Sequence, residues 1–278
     1  MKKLDPNELA LWIRLVLDLT GISLDETKEY LILERLRDLL EKYRCASFGH
    51  LYFLAREERQ TALREDLIDR ITTQETSFFR NAAPFAALRE TILPELLGRC
   101  RKDGGKRPLT IWCAACATGQ EVYSLAILLH ELGAKPQEYR ITGTDISRRA
   151  LEGARIGRYN RVEMDRGITP PQRTRFFEPH REQWQVRDFL KTSLDFVQLA
   201  LHQPFHLGDQ FDLVLCRNVA IYFPETTRGH LFHRIAHHLR PEGYLLLGTT
   251  ESIPSMGNLF QSTQVGKAVA FLLNPGAR

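Results

Sequence analysis

Cysteine is scarce in this sequence: there are five in 278 residues. An odd and sparse count excludes a disulfide framework and predicts a reducing compartment. Long hydrophobic runs are missing as well. Charges interrupt every apolar segment before the ~18 residues of a membrane-spanning helix, so no insertion into a membrane is expected. Met1-Lys2-Lys3 is followed by Asp5, Pro6, Asn7 and Glu8 rather than an apolar core, and no cleaved leader is expected. Nor is there a decisive charge excess. The 38 lysines and arginines against 34 acids leave a formal charge of +4, too little to point to nucleic acid unless clustered. The phosphate-binding string G-x-G-x-x-G does not occur, which argues against a pyrophosphate cofactor. These absences predict a cytoplasmic protein, and 43% hydrophobic residues suffice for a sizeable core.

What is present divides into two parts. The first seventy residues read as helices. Asn7 can cap one carrying Leu9, Leu11, Trp12, Leu15, Val16 and Leu19, stopped by Gly21. Asp25 opens a second, with Tyr30, Leu33, Leu36, Leu39 and Leu40 at three- and four-residue spacing. Shorter helices are expected from Ser47 and Gln60. Residues 1–70 hold twelve basic and fourteen acidic side chains, so the remaining chain carries twenty-six against twenty and the whole basic surplus. The spacing predicts an all-α domain over 1–75 and a linker and helix over 76–108. The run Arg101-Lys102-Asp103-Gly104-Gly105-Lys106-Arg107-Pro108 reads as a solvated loop.

From residue 109 to 278 strands and helices alternate. Strands are expected at 109–113, 140–144, 211–216 and 244–248, with helices at 120–132, from Ser147, and at 225–239. The pattern predicts an α/β domain with a doubly wound, mostly parallel sheet and ligands at the carboxyl ends of its strands. A closing hairpin, 259–264 with 267–273, would add an antiparallel strand. That is unusual for dinucleotide dehydrogenases and usual for adenosylmethionine-dependent methyltransferases. Residues 175–201 break the alternation and read as a small antiparallel insertion.

Candidate chemistry gathers at the strand ends. The first strand runs into Cys113-Ala114-Ala115-Cys116-Ala117-Thr118-Gly119 and then a helix, so backbone N–H groups can approach a polar ligand closely. Glu121 in the first helical turn would repel pyrophosphate but suit a cation. Asp145, ending the next strand, either accepts hydrogen bonds from ribose hydroxyls or caps the following helix. Arg217-Asn218 faces the ligand crevice by topology. The segment Thr72-Thr73-Gln74-Glu75-Thr76-Ser77-Phe78-Phe79-Arg80 is either a capped helix start with two core aromatics or part of a site. The Cys113/Cys116 pair has no second cysteine pair to complete a zinc site. His230, His233, His237 and His238 share a helix without a nearby ligand to complete a site. Small-residue packing and a solvated face are the expected readings, and no metal is expected.

In order and spacing, 72–80, 111–124, Thr144-Asp145-Ile146, Phe211-Asp212, Cys216-Arg217-Asn218-Val219-Ala220-Ile221-Tyr222-Phe223 and Leu239-Arg240-Pro241-Glu242-Gly243-Tyr244 resemble the CheR chemoreceptor glutamate methyltransferases. The resemblance covers essentially the whole chain. It implies a seven-stranded methyltransferase sheet with a β-subdomain insertion, and transfer of a methyl group from S-adenosylmethionine to glutamate side chains in the cytoplasmic helical methylation region of bacterial chemoreceptors. It implies a cofactor site of Gln74, Thr76, Arg80, Ala115, Gly119, Glu121, Asp145, Leu201, Arg217 and Asn218, with Arg80 and Tyr222 nearest the methyl-transfer centre.

Three departures stand out. Gln74 replaces a usual asparagine, Ala200 replaces an asparagine before Leu201, and Thr249-Thr250-Glu251 replaces a histidine-containing loop. The β-subdomain of some members docks a receptor's C-terminal pentapeptide on a long glycine-rich hairpin. Glu178-Pro179-His180-Arg181-Glu182-Gln183 is short and glycine-free, so no pentapeptide tether is expected. Lys28, Arg35, Arg37 and Lys42 could instead meet an acidic partner, or form a solvated face balanced by neighbouring acids. The competing functions are a methyltransferase for another substrate and a catalytically weak cofactor-binding regulatory module.

Overall fold

The computed structural model describes residues 3–57, 59–102, 104–208, 210–253 and 259–274. Met1, Lys2, Asp103 of the polar run and the last residues after Asn274 lie outside the described residues. Helix α1 (Pro6–Thr20) is capped by Asp5, whose carboxylate accepts the Asn7 N–H at 2.9 Å, so the cap is two residues earlier than the sequence suggested. Pro6 in the first turn, where no N–H is needed, makes that start favourable. Gly21, at φ 74°, ends α1 in the left-handed conformation.

The expected second helix is broken. A single tight turn at Glu26–Lys28 leads into α2 (Glu29–Arg35), and α3 (Arg37–Lys42) follows after Leu36. Helices α4 (Phe48–Arg56) and α5 (Thr61–Ile71) complete the unit. Its core is the apolar stripe of α1 (Leu9, Trp12, Leu15, Val16) packed on Ile32, Leu36, Leu39, Leu51, Leu63 and Leu67. Helices α6 (Ala82–Ala87) and α7 (Leu93–Lys102), joined by a wider turn at Leu88–Ile92, then cross to the sheet.

The α/β part continues with β1 (Leu109–Ala114), α8 (Gln120–Glu131), β2 (Tyr139–Asp145), α9 (Arg148–Ile156) and β3 (Arg158–Tyr159). Then come α10 (Arg161–Asp165), α11 (Pro170–Phe176), β4 (Phe177–His180), β5 (Gln183–Val186) and β6 (Leu194–Gln198). The chain closes with β7 (Phe211–Cys216), α12 (Glu225–His238), β8 (Leu239–Leu247), β9 (Phe260–Val265) and β10 (Ala268–Leu273).

Seven strands form one sheet in the order β6-β2-β1-β7-β8-β10-β9. The pairs β6–β2, β2–β1, β1–β7 and β7–β8 are parallel, while β10 runs antiparallel to both β8 and β9. Strands β1 and β7 are buried on both faces, which is why they read as continuous apolar runs. The strand order reverses between them, and in open α/β sheets that switch point is where a ligand crevice opens.

Three expectations need correction. Residues 194–198 do not belong to the insertion, because β6 pairs in parallel with β2 at the sheet edge. The small antiparallel sheet, β3-β5-β4, takes its third strand from Arg158–Tyr159. Two residues are too few to show periodicity, and the half-exposed edge strand alternates like an insertion strand. Strand β8 also starts at Leu239 rather than Tyr244, because a register shift opposite Phe211 to Leu213 accommodates Arg240-Pro241-Glu242. The polar run ends in structure, not solvent. Arg107 grips buried Asp212 with two bonds of 2.7 and 2.8 Å, and Thr110 donates its N–H to the same carboxylate at 2.9 Å.

Candidate active site

The carboxyl ends of β1, β2 and β7 open into a cavity of about 250 Å³. Gln74, Thr76, Arg80, Ala115, Glu121, Asp145, Leu201, Arg217, Asn218 and Tyr222 all line it, so residues spread over 149 positions of sequence converge on one space. Gly119 stands behind the wall. It opens α8 at φ 93°, and a Cβ there would lie 2.9 Å from that of Ala154 on α9. Its part is to turn the backbone from strand to helix where no side chain fits.

The small-residue loop owes its shape to unusual backbone. Ala115 and Ala117 adopt φ values of 60° and 48°, and Asn218, after β7, adopts 58°. A left-handed conformation costs a non-glycine residue roughly 1 kcal/mol, and such strain gathers where function over-determines the chain. Bonds to β2 hold this loop: Cys116 donates its N–H to the Thr144 carbonyl at 2.8 Å, and Ala117 donates to Asp145 Oδ2 at 2.9 Å.

Asp145 also accepts the Ser147 N–H on Oδ1 at 2.9 Å. Burial pushes its carboxyl above the ordinary range, against the pull of the N–H groups of Ser147, Ala117 and Ile146. Both earlier readings of Asp145 therefore have a structural counterpart: it orders the start of α9, and it lines the cavity. Ser147 is a junction. Its Oγ donates to Asp69 at 2.6 Å, accepts from Gln74 Nε2 at 2.7 Å, and caps the Ala150 N–H at 3.0 Å. The longer reach of Gln74 thus joins the linker to α9 and, through Ser147, to α5.

Arg217 extends from the end of β7 to Glu121, Nη1 to Oε2 at 2.8 Å, and its Nη2 donates to the Arg80 carbonyl at 2.7 Å. The guanidinium is only 2% exposed and its carboxylate partner 13%. Arg80 in turn donates to the Glu75 carbonyl at 2.8 Å. Tyr222 stands 40% exposed at the rim, its carbonyl accepting the Ser23 N–H at 2.9 Å.

The helical part supplies a wall that the sequence did not reveal: Ser23, Asp25, Lys28, Leu31 and Arg35 line the same cavity. Only the docking of one part on the other brings them there. Arg35 is tethered to the Ile71 carbonyl and to Thr73 Oγ1, and the positive charge of Lys28 acts on Asp25 of the same wall. Lys42 lies elsewhere, paired with Asp66 at 2.5 Å. Ala200 does not line the cavity, although its neighbours Leu199, Leu201 and His202 do.

The three cysteines nearest the site, Cys113, Cys116 and Cys216, are buried, and burial pushes their thiols well up. Protonated thiols are poor nucleophiles and poor metal ligands. Among the described residues no group of three or more His, Cys, Asp or Glu side chains is placed to hold a metal ion. Of the helix α12 histidines, His238 is buried and held at both ring nitrogens: Nδ1 faces the Arg234 carbonyl at 2.8 Å and Nε2 accepts the Leu207 N–H at 3.0 Å. No described helix is long and apolar enough to cross a membrane.

The donor set fits S-adenosylmethionine. Carboxylates at Glu121 and Asp145, both on the cavity wall, suit a cation and vicinal hydroxyls. Leu199, Leu201, Ile146 and Val219 offer apolar wall for a flat base.

Comparison with known proteins gives the same assignment. The model of the CheR methyltransferase SAM-binding domain matches residues 74–269, and that of the CheR all-alpha domain matches 7–72. The chain is 36% identical over 259 residues to chemotaxis protein methyltransferase 1 of Pseudomonas aeruginosa, covering 90% of this chain and 92% of that one. It is 35% identical over 258 residues to the chemotaxis protein methyltransferase of Vibrio parahaemolyticus, with 91% and 92% covered. To that of Escherichia coli it is 32% identical over 253 residues, with 89% and 85% covered. A sheet with its crevice at the β1–β7 switch point, a cavity whose donors fit S-adenosylmethionine and these full-length matches make the chain a member of the CheR family of S-adenosylmethionine-dependent methyltransferases.

Proposed function

We propose that this protein methylates glutamate side chains of bacterial chemoreceptors, forming methyl esters in sensory adaptation. The observation that carries the reading is the convergence of Glu121, Asp145, Arg217 and Asn218 with Arg80 and Tyr222 on one cavity. The relatives' names point to chemotaxis as the setting.

S-adenosylmethionine supplies, when bound, a methyl group on a cationic sulfonium. In this proposal Glu121 and Asp145 hold the cofactor by charge and by accepting hydroxyl protons, with Gln74, Thr76, Ala115, Leu201, Arg217 and Asn218 completing its surroundings and Gly119 shaping the loop. A glutamate carboxylate, of pKa about 4.3, is already ionised at neutral pH and needs no general base. The work left for the protein is orientation and the exclusion of water. Arg80 and Tyr222 orient the substrate carboxylate, and no proton leaves or enters either residue. Because opposite charges cancel along the path, the apolar walls at Ile146, Leu201, Val219 and Phe223 destabilise the separated ions more than the transition state.

Lys28 and Arg35 stand on the cavity's helical wall, where cations would attract an acidic receptor helix. The β4–β5 hairpin turns at Arg181-Glu182, His180 pairing with Gln183. So short a turn supports a mode of action without a pentapeptide tether. The test is methyl transfer to cytoplasmic receptor fragments, read as base-labile methanol. Transfer should also be indifferent to removal of any receptor C-terminal tail.

A further inference from the structure

We propose that Glu251, which enters the sequence only as part of a loop departing from the family pattern, is the positioning residue that sets the 217–222 loop in its binding conformation. Its carboxylate accepts four backbone N–H groups. Oε2 takes those of Asn218 at 2.5 Å and Gly248 at 2.7 Å; Oε1 takes those of Val219 at 3.0 Å and Ala220 at 2.9 Å. Three successive N–H groups thus point at one anion, a concave arrangement of the kind that binds anions wherever it is exposed. Here the chain supplies the anion itself.

The loop has no regular structure to hold it. Asn218 is in the left-handed region at φ 58°, and only a short turn at Ala220–Tyr222 follows. Release of Glu251 removes the acceptor from three amides at once and frees Asn218 to relax toward a more populated conformation. Both Asn218 and Tyr222 ride on this segment, so the carboxylate acts on cofactor and substrate through them without touching either. Gly248 is part of the device. A Cβ there would lie 2.5 Å from Glu251 Oε2 and 2.9 Å from Asn218 Nδ2, so only glycine lets the end of β8 approach this closely. The inference rests on the assignment of Asn218 to the cofactor and Tyr222 to the methyl-transfer centre.

Two readouts test it in the full-length protein: amide hydrogen exchange at 218–220 without ligand, and calorimetric binding of S-adenosylhomocysteine. Glu251→Ala should speed exchange at the three amides at least tenfold relative to β1 and weaken binding at least tenfold. Glu251→Gln keeps one acceptor oxygen and should fall between, which preserves the test if the alanine variant does not fold. Thr250→Ala, on the exposed neighbour, should change neither. Unchanged exchange at 218–220, or unchanged affinity despite faster exchange, in the folded Glu251 variants would overturn the proposal. Absence of binding by the unmodified protein would instead defeat the cofactor assignment. The exchange measurement would then decide alone whether Glu251 holds the loop.

Discussion

The Arg217 guanidinium and the Glu121 carboxylate meet at 2.8 Å across the crevice between the end of β7 and the first turn of α8. Neither would be stable there alone. Truncating one partner of a buried pair leaves the other charge unpaired at a cost of about 3–5 kcal/mol. Glu121→Ala is expected near the lower figure, since its partner keeps the bond to the Arg80 carbonyl. Thermal and urea denaturation should show that loss, with weaker S-adenosylhomocysteine binding in the protein that remains folded. Glu121→Gln, which keeps an acceptor, should recover most of the stability but little of the affinity.

With Asp145 holding the cofactor, as proposed, binding is expected to be sensitive to acid. Its carboxyl lies above the ordinary range because it is buried, so it gains a proton at higher pH than a solvated aspartate of pKa about 3.9. Affinity should therefore begin to fall at a higher pH than a free aspartate would dictate. The sign for folding is opposite. Protonated Asp145 suits the buried site, and this contribution to stability is present at low pH and lost as pH rises through the raised value. Calorimetric titrations across pH should show the affinity loss, and Asp145→Asn should flatten the curve at a low plateau.

Ser147 should matter more than its size suggests. It joins Asp69 on α5, Gln74 in the linker and the start of α9. Loss of an N-cap alone costs about 1 kcal/mol, and two further polar partners lose their bond. Ser147→Ala is expected to cost about 2 kcal/mol in a denaturation experiment.

Arg80 and Tyr222 differ from these residues because the proposed function gives them the orientation of the substrate. Arg80→Ala should lower kcat by about 100-fold, with little change in melting temperature. Tyr222→Phe, which removes only a hydroxyl, should cost about tenfold. Neither should introduce a basic limb into the pH–rate profile, since no proton is removed.

Much of this site was legible because topology makes strand ends special. The loop of small residues after β1, Asp145 after β2 and Arg217-Asn218 after β7 are all local signals, and the sheet gathers them. That Ser23, Asp25, Lys28, Leu31 and Arg35 wall this cavity was not legible: Lys28 and Arg35 stood out only as cations for an acidic partner or a solvated face, and nothing local marks the others. Ala115 and Ala117 read as merely small. Their left-handed backbone is imposed by the bonds of Cys116 and Ala117 to β2 and by no propensity of alanine. The same limit explains β3, whose two residues become a strand only because β5 pairs with them.

The most direct test supplies the protein with methyl-labelled S-adenosylmethionine and cytoplasmic fragments of chemoreceptors from the same cell, followed by alkaline release of volatile label. Base-labile methanol is expected from at least one fragment, lost when its methylation-region glutamates are changed to alanine and strongly reduced by Arg80→Ala. Label that resists base, or no transfer to any receptor fragment by protein shown calorimetrically to bind the cofactor, would contradict the proposed function.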